Sequence, residues 1–130
     1  MDYDLLLKGG RVIDPKNDLN SPADVGVKDG KIAAVGPGLE GVAAKTVDVA
    51  GLYVTPGLID IHLHAYGRFA AWLYPDQHCL PYGVTTCVDT GSSGWQHFPD
   101  FVDTVINSAQ TRVLAFICLL YTSPSPRDDE

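Results

Sequence analysis

No stretch of this 130-residue sequence is apolar for long enough to cross a bilayer. The longest uninterrupted run, Val113 to Leu120, falls well short of the roughly 18 residues that a spanning helix needs. Basic residues are also few. Lys and Arg number 9 against 16 Asp and Glu, a formal net charge of −7. That balance argues against nucleic acid or an anionic membrane surface as the main partner, since both attract basic patches. A small, locally recognised ligand fits better. The opening Met1-Asp2-Tyr3-Asp4 carries acids where a secretory leader carries positive charge, and Leu5-Leu6-Leu7 ends at once in Lys8, so export is not expected. Cysteine is sparse as well. Cys79, Cys87 and Cys118 are an odd number in no metal or redox spacing, which excludes a disulfide scaffold and reads as apolar filler in a reducing, cytoplasmic compartment. What is present, 45% hydrophobic and 19% charged residues, is the composition of a folded globular chain rather than a disordered one, with length for one modest domain.

From residue 4 to about 55 the chain shows short β-type segments separated by Gly, Asn, Asp and Pro, with no helical apolar period. Within Asp24 to Val35, two such runs flank Asp29-Gly30, the dipeptide that tolerates the positive φ angles of a type I′ turn, which predicts a hairpin. Leu5 to Gly9 and Arg11 to Asp14 are expected to pair nearby, with further strands at Thr46 to Val49 and Leu52 to Val54. After the breaker Thr55-Pro56-Gly57 the pattern changes. Leu58 to His64 reads as a strand. Alternation then sends Ile59, Ile61 and Leu63 to one face and Asp60, His62 and His64 to the other. A second strand is expected over Val84 to Asp89, ended by Thr90-Gly91-Ser92-Ser93-Gly94. Phe98, Phe101, Val102, Val105, Ile106 and Ala109 fall on one helical stripe, which predicts a helix at about 99–109 with Pro99 in its first turn. Arg112 to Ile117 follows as a third strand. The second half is therefore α/β, a strand-helix-strand unit whose strands should run parallel through a right-handed crossover.

His62 and His64 lie two apart on the first of these strands, about 6.5 Å between α-carbons, with imidazoles on the same side. Such a pair can grip one metal ion, because neutral imidazole is a good ligand for zinc and other first-row divalent ions. A catalytic site needs further ligands and an open position for water. Asp89 reads as a turn former ahead of Thr90-Gly91 or as an acid supporting the metal ligands. His78 and His97 sit in polar loops, as surface or substrate-loop residues. The aromatic group Tyr66, Phe69, Trp72 and Tyr74 follows the first strand, either beside a bound substrate or packed as a loop.

The run Val54-Thr55-Pro56-Gly57-Leu58-Ile59-Asp60-Ile61-His62-Leu63-His64, preceded by Asp29-Gly30-Lys31-Ile32-Ala33-Ala34-Val35-Gly36, closely resembles the opening of the amidohydrolase superfamily. Gly83 to Ser92 looks like the second barrel strand and its loop. The resemblance covers about residues 3–117. It implies the first strands of a TIM-type (β/α)8 barrel over 56–117, preceded over 1–55 by the N-terminal part of a composite β-sandwich. It also implies that His62 and His64 are metal ligands, with Asp60 similar to the supporting acid that precedes them. The cofactor is one or two divalent ions, zinc foremost, and the substrate a small amide or N-acyl compound, in a homo-oligomer with no nucleic acid or membrane partner. Such sites lie at the C-terminal ends of the barrel strands. There the metal activates water to hydrolyse a carbon-nitrogen bond. The pattern from Gly83 to Gly94, with Phe98-Pro99-Asp100-Phe101, looks closest to the amidohydrolase/deacetylase branch. Dihydroorotase is an alternative, but dihydroorotases place an arginine two positions after the second histidine, where this chain has Tyr66. Arg68 is then the candidate for an anion-binding role, with Tyr66 also on the substrate side.

Cys118 to Asp128 resembles the conceptual translation of a sequencing adapter, so 118–130 reads as a non-native tail and is set aside from fold reasoning. The other parts implied by the resemblance are a bridging lysine or glutamate, two more histidines and a general-base aspartate. They would come from later strands, so no catalytic residue is expected within this fragment. The expectation is weak metal binding at most, no turnover, and an unpaired sheet edge that favours aggregation. Two other readings are a non-catalytic amidohydrolase-like scaffold, against which the intact His62 and His64 argue, and an independent β-rich binding module.

Overall fold

The computed structural model describes residues 2–67 and 72–119. The chain divides into two compact units, Met1–Pro56 and Gly57–Glu130. The first is a five-stranded sheet formed by β1 (Tyr3–Asp14), β2 (Leu19–Lys28), β3 (Lys31–Gly36), β4 (Ala43–Asp48) and the short β5 (Tyr53–Val54). Its order is β3-β2-β1-β4, with β5 also on β1. The consecutive strands β1, β2 and β3 pair antiparallel, while β4 and β5 run parallel to β1. The predicted hairpin is present. Lys28 pairs with Lys31, and both turn residues have positive φ, Asp29 at 50° and Gly30 at 71°, as a type I′ turn requires.

The two segments expected at Leu5 to Gly9 and Arg11 to Asp14 are one strand. They join through a bulge, where the register passes from Leu7 opposite Val25 to Gly10 opposite Ala23. Gly9 takes φ 77° there, and its N–H donates to Asp24 Oδ1 at 2.7 Å. The same buried carboxylate accepts from Leu39 N at 2.9 Å and pairs with Lys8 Nζ at 3.0 Å. Val12, Ala23 and Val25 form the buried core of this unit, flanked by Leu7, Leu19, Val27 and Val54.

The second unit is a three-stranded sheet, β6 (Leu58–Leu63), β7 (Val84–Ser93) and β8 (Arg112–Ile117), parallel in that order. Gly57 opens β6 because nothing larger fits: a Cβ there would lie 2.0 Å from Thr85 Oγ1. Between β6 and β7 come a short helix α1 (Pro75–His78) and a 3-10 turn (Leu80–Tyr82), neither of them expected, each with proline in its first turn. Between β7 and β8 lies α2 (Phe98–Phe101), which widens into a π-type turn over Val102–Ile106. There Asn107 N donates to Val102 O. The predicted apolar stripe does its work, since Phe101 is fully buried and packs with Leu63, Cys87 and Val113, and Phe98, Val105, Ile106 and Ala109 lie against that core.

Two strand expectations are corrected. β7 continues past Asp89 to Ser93, because the turn-forming residues are absorbed in a bulge rather than ending the strand. The register passes from Asp89 opposite Ala115 to Ser93 opposite Ile117, and Asp89 Oδ1 accepts the N–H groups of Gly91 and Ser92. In β6 a slip separates Asp60, opposite Cys87, from Leu63, opposite Asp89, and Asp60 Oδ1 accepts His62 N at 2.9 Å. The uninterrupted alternation expected to align Asp60 with both histidines is therefore broken between them. Ile59 and Ile61 are exposed, whereas Leu63 is buried.

Acid sensitivity follows from two carboxylates. Donation from Gly9 N holds the Asp24 carboxyl below its usual range, and donation from Gln110 N and Thr111 N does the same for Asp76. A carboxyl whose pKa is lower in the folded state stabilises fully above its unfolded value and loses that contribution as pH falls through the folded one. The gap in urea midpoint between the wild-type chain and Asp24→Asn should therefore be largest at neutral pH and shrink below about pH 4. A gap that stays constant from pH 7 to pH 3 would contradict this.

Candidate metal centre

His62 is the penultimate residue of β6 and His64 directly follows the strand, both exposed. Their ring centroids are 6.1 Å apart and nearly perpendicular, at 83°, near enough for both rings to reach one ion. Among the described residues the His62 ring makes no hydrogen bond, while its backbone N–H is held by Asp60. His64 is held more firmly, with Nδ1 lying 2.8 Å from Ser92 Oγ. Ser92 is buried, and sequence reasoning passed over it as part of a chain-breaking turn. The signal was there: an aspartate shortly before Gly-Ser can fold its carboxylate back onto their N–H groups.

Asp89 is fully buried and ties the ends of β6 and β7 together. Its Oδ2 accepts from Ala65 N at 2.7 Å, and its Oδ1 accepts from Gly91 N at 3.0 Å and Ser92 N at 2.7 Å. Thr90 Oγ1 adds a bond to Leu63 O at 3.3 Å. The C-terminal ends of two neighbouring parallel strands thus converge on the histidines, with Asp89 reaching His64 through Ser92 rather than directly.

Among the described residues no third His, Cys, Asp or Glu joins the pair to complete a metal cluster. The donor set therefore suits a divalent ion but supplies only part of its coordination. Cys79 and Cys87 are buried in the core. Burial raises the Cys79 thiol and pushes Cys87 up to about 12, so neither offers the thiolate that a soft metal or a nucleophilic role needs. His78 Nδ1 is engaged with the Tyr74 backbone, and its ring stacks on Tyr74. His97 is exposed just ahead of α2.

Tyr66, expected on the substrate side, is buried. Its hydroxyl donates to Asp100, and its ring packs on Phe101 at a centroid distance of 5.0 Å. With Trp72, Tyr74, Asp100 and Thr104 it lines a cavity of about 470 Å³ that does not include His62 or His64 among its described lining residues. Arg68 and Phe69 lie outside the described residues, as does 120–130 of the expected tail.

No family model matches the chain. A deacetylase of Enterococcus faecalis is 35% identical over 119 residues, covering 90% of this chain and 31% of the relative. A solved dihydroorotase structure is 32% identical with a TM-score of 0.76, over 87% of this chain and 30% of that one. A D-aminoacylase, whose binuclear metal centre was studied in its structure, is 40% identical with a TM-score of 0.55, over 67% of this chain and 18% of that one. The chain thus spans about a third or less of the length of these proteins. Among the described residues no helix is long and apolar enough to cross a membrane.

Proposed function

We propose that this chain, which its relatives place in the amidohydrolase superfamily, contributes His62 and His64 as metal ligands to a hydrolase acting on carbon-nitrogen bonds. The observation that carries the reading is the pair of exposed imidazoles 6.1 Å apart at the C-terminal end of a parallel strand, the end where barrel enzymes of this kind keep their active sites. In this reading β6, β7 and β8 are the first staves of a (β/α)8 barrel, and the sheet over residues 3–54 is part of a β-sandwich. The cofactor is a divalent metal, zinc foremost, with one or two ions. When bound, it lowers the pKa of a water molecule and polarises the substrate carbonyl.

The chain's own residues hold and orient. The two imidazoles bind the ion, Asp60 fixes the His62 backbone, and Asp89 joins the strand ends beneath the site. Asp60 and Asp89 are supporting residues. The substrate is a small amide or N-acyl compound. A deacetylase fits better than a dihydroorotase, because Tyr66 stands where dihydroorotases place an arginine, and it turns its hydroxyl to Asp100. A role for Arg68 in anion binding, homo-oligomerisation, a cytoplasmic setting and independence from nucleic acid and membrane belong to the same reading. With two ligands and no third donor among the described residues, this chain alone should bind metal weakly and not turn over substrate.

Titration with zinc or manganese, followed by calorimetry, tests the reading. The wild-type chain should show weak saturable binding that the double variant His62→Ala/His64→Ala loses while keeping its unfolding midpoint. Equal affinity in both proteins would overturn it.

A further inference from the structure

Ser92 and the residue after His64 hang from one carboxylate. Asp89 takes Ser92 N on Oδ1 and Ala65 N on Oδ2, each at 2.7 Å, and it is buried on all sides. The residue before His64 is tied as well, since Leu63 O accepts from Thr90 Oγ1. The backbone on both sides of His64 is thus cross-linked to the bulged end of β7, and side chain meets side chain across that junction where His64 Nδ1 lies 2.8 Å from Ser92 Oγ. His62 has no such side-chain partner: among the described residues its ring makes no hydrogen bond, and its backbone N–H is held by Asp60. The two rings that share one task are therefore held very differently.

We infer that Ser92, anchored by Asp89, is a positioning residue that locks the His64 ring with its proton on Nδ1, leaving Nε2 as the bare nitrogen that faces a cation. A hydroxyl can accept from a ring N–H or donate to a bare ring nitrogen, and only the first direction leaves Nε2 free to ligate. Histidine ligands characteristically donate their other ring N–H to such an acceptor, which fixes tautomer and orientation together. The Asp89 carboxylate does not touch the ring; it sets where Ser92 stands. His64 is thereby prepared for the ion in advance, and His62 swings to meet it. This inference rests on the metal-binding reading, and its test separates the two.

Long-range nitrogen-proton NMR of the metal-free chain, at a pH where the imidazole is neutral, reads the tautomer directly. The wild-type chain should hold His64 in the Nδ1–H form. Ser92→Ala should release it toward the Nε2–H form that imidazole prefers in water, and Ser92→Thr, which keeps the hydroxyl, should restore the wild-type signature. The same Ser92→Ala change should weaken zinc binding about tenfold without moving the unfolding midpoint in proportion. His64 found as Nε2–H in the wild-type chain, or a tautomer indifferent to Ser92→Ala, would overturn the inference. A serine-dependent Nδ1–H form in a chain that binds no zinc would sustain the positioning role and overturn the metal-binding reading instead.

Discussion

Asp89→Ala is expected to cost the second unit about 3 kcal/mol or more, because it leaves the buried N–H groups of Ala65 and Ser92 and the half-buried N–H of Gly91 without their acceptor. The loss is not of one contact but of the junction that holds β6 to β7 beyond their last regular pair, Leu63 opposite Asp89. Asp89→Asn keeps one carbonyl oxygen and should cost roughly half as much, since one side of the junction can still be satisfied. Both tryptophans, Trp72 and Trp95, lie in the second unit, so urea unfolding followed by their fluorescence reports this loss selectively. A midpoint within about 0.5 kcal/mol of wild type, the range of ordinary surface substitutions, would show that the carboxylate is dispensable.

Phe101→Ala should be comparably severe, about 3–5 kcal/mol. Phe101 is 0% exposed and meets Tyr66 and Phe98 ring to ring, at centroid distances of 5.0 and 6.3 Å. Removing the ring opens a cavity between α2 and the sheet that small rotamer changes cannot fill. It also takes away the surface on which Tyr66 rests, so the bond from its hydroxyl to Asp100 should loosen as well. Set against a total stability of about 5–15 kcal/mol for a small domain, this leaves little. Phe116→Ala is the control: Phe116 is 64% exposed, and its loss should move the same fluorescence transition by less than about 0.5 kcal/mol.

Elements governed by local rules were legible in advance. Asp29-Gly30 specified its turn because both positions need positive φ, β8 matches its run, Arg112–Ile117, to the residue, and the helical stripe buries Phe101 and half-buries Phe98, Val105, Ile106 and Ala109 against the core. The pairing of His62 with His64 also followed from spacing. What escaped were the irregularities in β1, β6 and β7, and they share a cause. In each an aspartate carboxylate captures backbone N–H groups that a regular ladder would have used: Asp24 takes Gly9, Asp60 takes His62, and Asp89 takes Gly91 and Ser92. Period-2 alternation carries no mark of such capture, which depends in β1 on a residue 15 positions away. Ser92 was passed over for this reason. It looked like punctuation after a strand, and became the partner of His64 only because Asp89 carried β7 through the bulge. For Tyr66 the sequence left substrate contact and loop packing both open, and the ring turns inward onto α2.

X-ray absorption at the zinc edge of the zinc-loaded chain tests the central claim most directly, because nitrogen and sulfur ligands differ in distance, about 2.0–2.1 against 2.3 Å. The expected spectrum carries the outer-shell scattering of two imidazoles and no sulfur, and the imidazole signal disappears in His62→Ala/His64→Ala. A sulfur shell drawn from Cys79, Cys87 or Cys118, or imidazole scattering that survives loss of both rings, would contradict the claim.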